Sequence, residues 1–313
     1  MMEGKADAAA LGSFLTALRM KGETVQEIAA AAKVLRKFVK PVKTGGKAVL
    51  DTCGTGGDHS GTFNISTLSA FAAAGAGAVV AKHGNRSISS RCGSADLLEK
   101  LGVDVERVSL RAQETLKSCG IAFLFAPAFH PAMRHVAPVR RTLGVRTIFN
   151  ILGPLTNPTC AKHQLLGVFS SALTHPMAEV LRALGSRHVL VVHGEDGLDE
   201  VTTTTETVVT ELKRGRLKNF RIHPRRFGIR TASPGQLKGG DIETNVKIAE
   251  EVLCGKKGPQ RDIVVLNAAC ALYAADRAES IGEGLDQAKE SLDSGKALEK
   301  LKALREFSRR EAA

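Results

Sequence analysis

Between Asp51 and Ser94 the chain reads DTCGTGGDHSGTFNISTLSAFAAAGAGAVVAKHGNRSISSRCGS, and no other stretch constrains the fold as strongly. A short apolar run ends in a glycine-rich loop, an apolar helical segment follows, and a second apolar run ends in another polar loop. Strand, loop, helix, strand is the unit of a parallel sheet, because parallel neighbours need a crossover between them. The loop compositions add a chemical constraint. Small residues let a backbone approach a ligand closely, while hydroxyls, exposed N–H groups, Lys82 and Arg86 suit phosphate oxygens. The stretch therefore predicts an α/β fold and a site for a polyphosphorylated sugar.

The alternation continues along the chain. Strand-like runs occur at AVLDTCG, AVVAKHG, LGVFS (166–170) and HVLVVHG (188–194), with helical segments near Asp96 to Leu101 and Met177 to Leu184. That order implies a largely parallel sheet covered by helices. Residues 205–222 read as a hairpin turning at Lys213 to Gly215, and the C-terminal third as helical from about Glu243 to Arg305. Ahead of the first strand, Leu11, Phe14, Leu15 and Leu18, then Ile28, Val34, Leu35 and Phe38, fall at helical spacing around a break at KGET. Thr24 is placed to cap the second of these helices. The expected organisation is a small helical domain over 1–46, a PVKTGGK linker at its end, and an α/β domain with a mostly parallel central sheet over 47–313.

Composition excludes several classes. With 43% apolar and 24% charged residues the chain has a globular profile, which removes disordered and collagen-like readings. It has no Trp and only Tyr273, which argues against the aromatic stacking platforms of single-strand nucleic-acid binders. The formal charge of +12 favours anionic partners, either phosphorylated metabolites or nucleic acid, although charge runs such as Lys213 to Arg230 are commonly solvated faces. The six cysteines show no CxxC spacing and read as free thiols. No apolar run approaches the ~20 residues of a membrane span, and a reducing cytoplasm is the expected location.

In the first loop, Gly54, Gly56 and Gly57 follow directly on a strand. Asp58, Thr62, Asn64, Ser66 and Thr67 then lead into an apolar helix whose positive end suits an anion, and the hydroxyls can also bind a metal that bridges phosphates. In the second, Lys82 can neutralise phosphate, His83 sits among ligand-like neighbours, and Asn85 and Arg86 offer donors at a strand end, the usual place for ligands in an open parallel sheet. Arg140 offers the two-pronged planar donor set that a carboxylate needs, or is a helix-surface arginine beside Arg141. Asp199 and Glu200 stand after a further strand, either as a solvated turn or as oxygen donors for magnesium.

Taken together, GTGGD, NIST, KHGNR, GSADLLEKLG, HPAMRHVAPVRRTLGVRTIFNILGPLTNP and the Asp199–Glu200 pair closely resemble the anthranilate phosphoribosyltransferase family, from about Phe14 to Leu304. The resemblance implies a fold related to pyrimidine nucleoside phosphorylases, with the helical domain completed by a segment near 130–150. It implies transfer of a phosphoribosyl group from 5-phosphoribosyl 1-diphosphate to anthranilate, the second step of tryptophan biosynthesis from chorismate. The diphosphate and ribose phosphate would be held by Gly54, Gly57, Asp58, Thr62, Asn64, Ile65, Ser66 and Thr67, and by Lys82, His83, Gly84, Asn85, Arg86, Ser87, Ile88, Ser89, Ser90 and Ser94. Anthranilate would meet Gly54, Asn85 and Arg140. Mg2+, two ions per subunit, would be held by Ser66, Asp199 and Glu200. Transition-state support would come from Lys82, His83 and Arg140, with no dedicated general base. A homodimer is implied, although the opening segment usual for the family reads as shortened. The Thr202 to Thr205 run is richer in threonine than the resemblance leads one to expect after the Asp199–Glu200 pair, and sequence gives no account of it.

Two other readings stay open from sequence. A pyrimidine nucleoside phosphorylase shares the fold and a glycine-rich loop, but the DE pair and LGVRTIFNILGPLTNP speak against it. A nucleic-acid-binding relative would suit the charge, but would gain nothing from retaining the set Asp58, Ser66, Lys82, Asn85, Arg140, Asp199 and Glu200.

Overall fold

The computed structural model describes residues 1–58, 60–86 and 92–310. Helices α1 (Ala8–Lys21) and α2 (Val25–Phe38) open the chain. Thr24 caps α2 reciprocally: its hydroxyl accepts from Glu27 N–H at 3.2 Å, and Glu27 Oε2 accepts from Thr24 N–H at 2.9 Å. The alternating part follows as β1 (Leu50–Gly54), α3 (Ile65–Gly75), β2 (Val80–Gly84), α4 (Ser94–Lys100), α5 (Val105–Leu110), α6 (Ala112–Cys119) and β3 (Ile121–Phe125). A helical stretch holds α7 (Ala126–Phe129), α8 (Ala137–Leu143) and α9 (Phe149–Leu152). Then come β4 (His163–Gly167), α10 (Thr174–Ala183), β5 (His188–Gly194), and the hairpin of β6 (Thr207–Lys213) and β7 (Arg216–Ile222). The chain closes with α11 (Ile242–Leu253), α12 (Pro259–Ala274), α13 (Ile281–Asp293) and α14 (Lys296–Arg309).

The strands form one seven-stranded sheet in the order β3-β2-β1-β4-β5-β6-β7. The first five run parallel, and β6 and β7 are antiparallel. Alternate residues of β4 and β5 enter different cores, as a sheet covered on both faces requires. Leu165, Leu190 and Val192 join the cluster of α3, α12, α13 and α14, whereas Leu166, Val189 and Val191 join that of α1, α2, α9 and α10. In the second cluster Leu11, Leu15, Ile28 and Leu35 pack with Val136, Ile148 and Phe149, so the opening helices meet the segment after β3. α3 is buried along nearly its whole length.

Two strands depart from the sequence reading. β3 is an addition to it: IAFLF is a continuous apolar run between helices, which periodicity alone does not assign. β4 begins at His163 rather than Leu166, because two polar side chains are buried in it with partners. His163 Nδ1 lies 2.8 Å from Ala274 O, and Gln164 Nε2 donates to Pro154 O at 2.8 Å. Among the described residues no helix is long and apolar enough to cross a membrane.

Candidate active site

The sheet order turns back on itself between β1 and β4, since the chain winds outward to β2 and β3 and then returns to the other side of β1. Crevices at such switch points, beyond the carboxyl ends of the strands, are where open α/β sheets take ligands. Here β1 ends at Gly54 and β4 at Gly167, and the loop after β5 lies across both. A Cβ on Gly167 would stand 1.5 Å from Asp199 O, and one on Gly54 would stand 2.3 Å from Asp199 Oδ2. Only residues without a side chain permit that approach.

The loop is fastened through its two acids. Gly56 N–H donates to Asp199 Oδ2 at 2.7 Å, and Ser66 N–H, in the first turn of α3, donates to Glu200 Oε1 at 3.1 Å. The positive end of α3 therefore receives a carboxylate of the protein itself, so loop, helix and acid pair form one unit. Burial and the neighbouring Asp58 push Asp199 up to about 7. Burial and the adjacent Asp199 push Glu200 up to about 8. Lys82 is also buried; its ammonium donates to Thr52 O and to Ser66 Oγ, the latter at 3.1 Å. Burial lowers its pKa, opposed most strongly by Asp51.

Asp199, Glu200 and Ser66 Oγ are hard oxygen donors, the type that magnesium takes. Among the described residues no group of three His, Cys, Asp or Glu side chains could hold a metal ion. A divalent cation at the acid pair would complete its shell with water and substrate oxygens, as magnesium prefers. Nearby at the start of α3, the buried Asn64 Oδ1 and Thr67 Oγ1 have no hydrogen-bond partner among the described residues. Native interiors rarely leave such atoms unmatched, which marks this end of the helix as built for something further.

The two loops are tied together. Gly56 and Gly57 adopt φ of 66° and 74° in the left-handed region, which turns the chain sharply off β1. Arg146 Nη2 donates to Gly57 O at 2.6 Å, and Arg19 of α1 donates in turn to Arg146 O. Thr62 bridges to Lys238, whose ammonium donates to Ser60 O at 2.9 Å. Ile65 is buried as the first residue of α3, and Asn64 Nδ2 donates to Cys92 O at 3.1 Å, joining the first loop to the end of the second. Ser94 Oγ donates to Asn85 O at 3.1 Å, and a Cβ on Gly84 would meet that same Oγ at 2.5 Å. Arg86 turns to Glu99, with Nη2 donating to Oε1 at 2.6 Å, and also pairs with Asp96. It is engaged with α4 rather than with the first loop. Ser87, Ile88, Ser89 and Ser90 lie outside the described residues.

In the segment after β3, Arg140 is half-buried in α8, its guanidinium 5.4 Å from the Phe149 ring centre. It has no hydrogen bond or ion pair from its side chain among the described residues, which leaves its donors for a carboxylate. Asn85 is exposed at the end of β2, and its Oδ1 accepts from Arg86 N–H at 2.8 Å. His83 Nε2 lies 3.0 Å from His130 Nε2, with ring centres 4.9 Å apart. Burial lowers the pKa of His83 to about 3 and of His130 to about 4, so the pair is neutral and one ring donates to the other. His83 acts as a hydrogen-bonding group and not as a cation.

His130, Arg146 and Lys238 escaped the sequence reading. His130 and Arg146 lie in the recognised segment from His130 to Pro158, but their partners are distant in sequence. The threonine run gains an account: Thr202 and Thr204 hydroxyls both donate to Asp196 Oδ2, and Thr202 N–H donates to Thr207 Oγ1 at 3.0 Å. The run folds back the loop that carries Asp199 and Glu200.

Comparison with known proteins agrees with this arrangement. Residues 46–298 match the glycosyl transferase family a/b domain, and residues 1–39 the helical bundle domain of that family. The chain is 52% identical over 308 residues to the anthranilate phosphoribosyltransferase of Acetivibrio thermocellus, covering 98% of this chain and 89% of that one. Its fold superposes on the Thermus thermophilus enzyme with a TM-score of 0.94 at 47% identity, covering 99% of this chain and 92% of the other. The Saccharomyces cerevisiae enzyme in complex with PRPP and Mg follows at 0.88 and 32% identity, covering 96% and 85%; the same yeast enzyme has been solved with 4-fluoroanthranilate. By sequence and by fold, the chain belongs to the anthranilate phosphoribosyltransferase family.

Proposed function

We propose that the chain transfers the phosphoribosyl group of 5-phosphoribosyl 1-diphosphate to the amine of anthranilate, with the switch-point loops as donor site and the Arg140 side as acceptor site. The observation that carries the reading is the acid pair. Two adjacent, partly buried carboxylates, each met by a backbone N–H, lie against a glycine-rich loop and the start of α3. Such a pair is costly unless an external cation neutralises it, and a diphosphate brings Mg2+ with it. Asp199, Glu200 and Ser66 would hold the metal. Bound there, it would supply charge neutralisation to the departing diphosphate.

The chain's own groups divide the remaining work. Gly54, Gly57, Asp58, Thr62, Asn64 and Thr67, with the loop from Lys82 to Ser94, would bind diphosphate and ribose phosphate. Lys82, the one buried ammonium at this point, would face negative charge as the bond to ribose C1 weakens and the sugar becomes cationic. Arg140 would pair with the anthranilate carboxylate, and Asn85 and the neutral His83 would orient the amine toward C1. An arylamine needs little activation, so its proton leaves late to water or to diphosphate oxygens. The division into a helical domain over 1–46 and an α/β domain over 47–313 belongs to the same reading. So does a homodimer, supported by apolar side chains left open on the first two helices at Phe14, Met20 and Val34.

The test follows anthranilate fluorescence with 5-phosphoribosyl 1-diphosphate and Mg2+ in native protein and Arg140→Ala. Signal should fall only with Mg2+ present. The variant should lose about 10- to 100-fold in kcat/KM for anthranilate, the range of a lost charge-assisted bidentate contact, with KM for the phosphorylated sugar within about twofold. A variant defective only toward the phosphorylated sugar would overturn the assignment of Arg140. Absence of Mg2+-dependent turnover would overturn the function.

A further inference from the structure

The loop bearing Asp199 and Glu200 has a third fastening, on the side away from the glycine-rich loop. Asn267, in the middle of α12, is fully buried. Its Oδ1 accepts from Val201 N–H at 2.9 Å, while its Nδ2 donates to Val201 O at 2.8 Å and to Ile263 O at 2.9 Å. Both amide hydrogens are thus used. The amide cannot be reversed, since its oxygen would then face two carbonyls. With Val201 it forms a cyclic pair of hydrogen bonds resembling a step of β-ladder, which fixes the residue next to Glu200 in orientation as well as position.

We propose that Asn267 is a positioning residue for the acid pair, holding Asp199 and Glu200 in place for a divalent cation. The proposal rests on the reading of those two acids as the metal carboxylates. Like charges on adjacent residues repel, more strongly when shielded from water. The backbone N–H groups that meet the two carboxylates, those of Gly56 and Ser66, belong to the substrate-binding segments. Gly56 is exposed, whereas α12 packs against α3, α13, β4 and β5 and has twelve of its sixteen residues buried, making it a fixed post. Val201 joins the same apolar cluster as Val264, Val265 and Ala268. An asparagine satisfied only within its helix would need the bond to Ile263 O alone; the two directed at Val201 span 66 residues of sequence.

The experiment titrates Mn2+ by electron paramagnetic resonance, in the presence of 5-phosphoribosyl 1-diphosphate, into four proteins: native, Asn267→Ser, Leu272→Ala and Asp199→Asn. Serine keeps a hydroxyl for Ile263 O but is too short to reach Val201. Leu272→Ala removes a buried side chain of the same helix, five residues from Asn267, and leaves the hydrogen bonds to Val201 in place. Asn267→Ser should weaken Mn2+ binding about 10-fold or more, the range for groups that support metal ligands. The Mg2+ concentration for half-maximal turnover should rise in parallel, with KM for anthranilate within about twofold. Leu272→Ala should melt earlier yet bind Mn2+ as the native protein does. Native-like affinity in Asn267→Ser, despite a lower melting temperature, would reduce Asn267 to a core residue and overturn the proposal. Native-like affinity in Asp199→Asn would overturn the metal reading itself, a separate outcome. Should Asn267→Ser not fold, Asn267→Thr, whose methyl group fills more of the site, carries the same comparison.

Discussion

Where β1, β4 and β5 end, Asp199 and Glu200 lie partly buried beside one another and near Asp58, each met by one backbone N–H. Where β4 and β5 begin, at the other end of the sheet, carboxylates are gathered again under different terms. Glu211 accepts from Tyr273 Oη at 2.7 Å and faces His188 Nε2 at 3.2 Å, while His188 Nδ1 meets Asp276 at 2.6 Å. The hydrogen bond from His188, seconded by that from Tyr273, holds Glu211 below the usual carboxylate range despite its burial. The contrast shows that what distinguishes the working end is incompleteness. One end supplies its acids with side-chain hydrogen-bond partners of its own, and the other meets each acid with a backbone N–H.

The sharpest break of this contrast comes from Asp199→Asn combined with Glu200→Gln. Turnover should fall about a thousandfold or more, several kcal/mol of lost transition-state stabilisation, while the metal-free protein gains stability at pH 8. A carboxylate whose folded pKa lies above its unfolded value penalises the fold progressively as pH rises from about 4 toward the folded values of about 7 and about 8. Across that window the native melting temperature should therefore drop relative to the double variant's. A gap that does not change with pH would end the distinction between the two ends.

His188→Leu asks the converse question at the far end. It leaves Glu211 and Asp276 without their imidazole, at a cost of about 3 kcal/mol in urea unfolding, with kcat within about twofold. The pH sign is opposite as well. Glu211 has a lowered folded pKa, so its contribution is present above about pH 4.3 and is lost as pH falls through the folded value. Acid relieves one end and loosens the other.

A smaller effect belongs to the imidazoles of the working end. His83 and His130 have folded pKa values near 3 and 4, whereas an unfolded imidazole protonates near 6.5. Their contribution to stability should fall as pH drops from about 6.5 toward 4, by on the order of 1 to 2 kcal/mol per ring by pH 5. His130→Gln should flatten that slope in urea titrations at pH 7 and pH 5. The smallest change is Tyr273→Phe, which removes one hydrogen bond to Glu211 and should cost about 1 kcal/mol without altering kinetics.

Local pattern made much of this legible. β5 spans 188–194 as its unbroken apolar run predicts, the hairpin turns at Arg214 and Gly215, and Thr24 caps α2 with Glu27. The glycine-rich turn could be read because Gly56 and Gly57 follow directly on the strand they turn away from. What stayed hidden depends on contacts across long sequence gaps. His163 and Gln164 look too polar for a strand until Ala274 and Pro154 supply partners. Nothing adjacent to His130 points to His83, and nothing near Asn267 points to Val201. The sequence also leaves the positive end of α3 to phosphate, because no local signal shows that Glu200 reaches it first.

The two margins of the sheet carry a last consequence, for how the protein behaves in a crowd. β3 is buried throughout beneath α5, α6 and α7, so its open side offers no template to another chain. β7 has no such cover and instead sets Arg216, Lys218 and Arg221 along an exposed strand, with Arg221 anchored to Glu195 and Glu206. Two copies that tried to stack through that margin would bring the Arg216 and Lys218 of each copy together, a common natural guard against edge-to-edge aggregation. Part of the chain's large positive charge thus serves as colloidal protection, and salt, by screening it, should be what first lets concentrated protein associate.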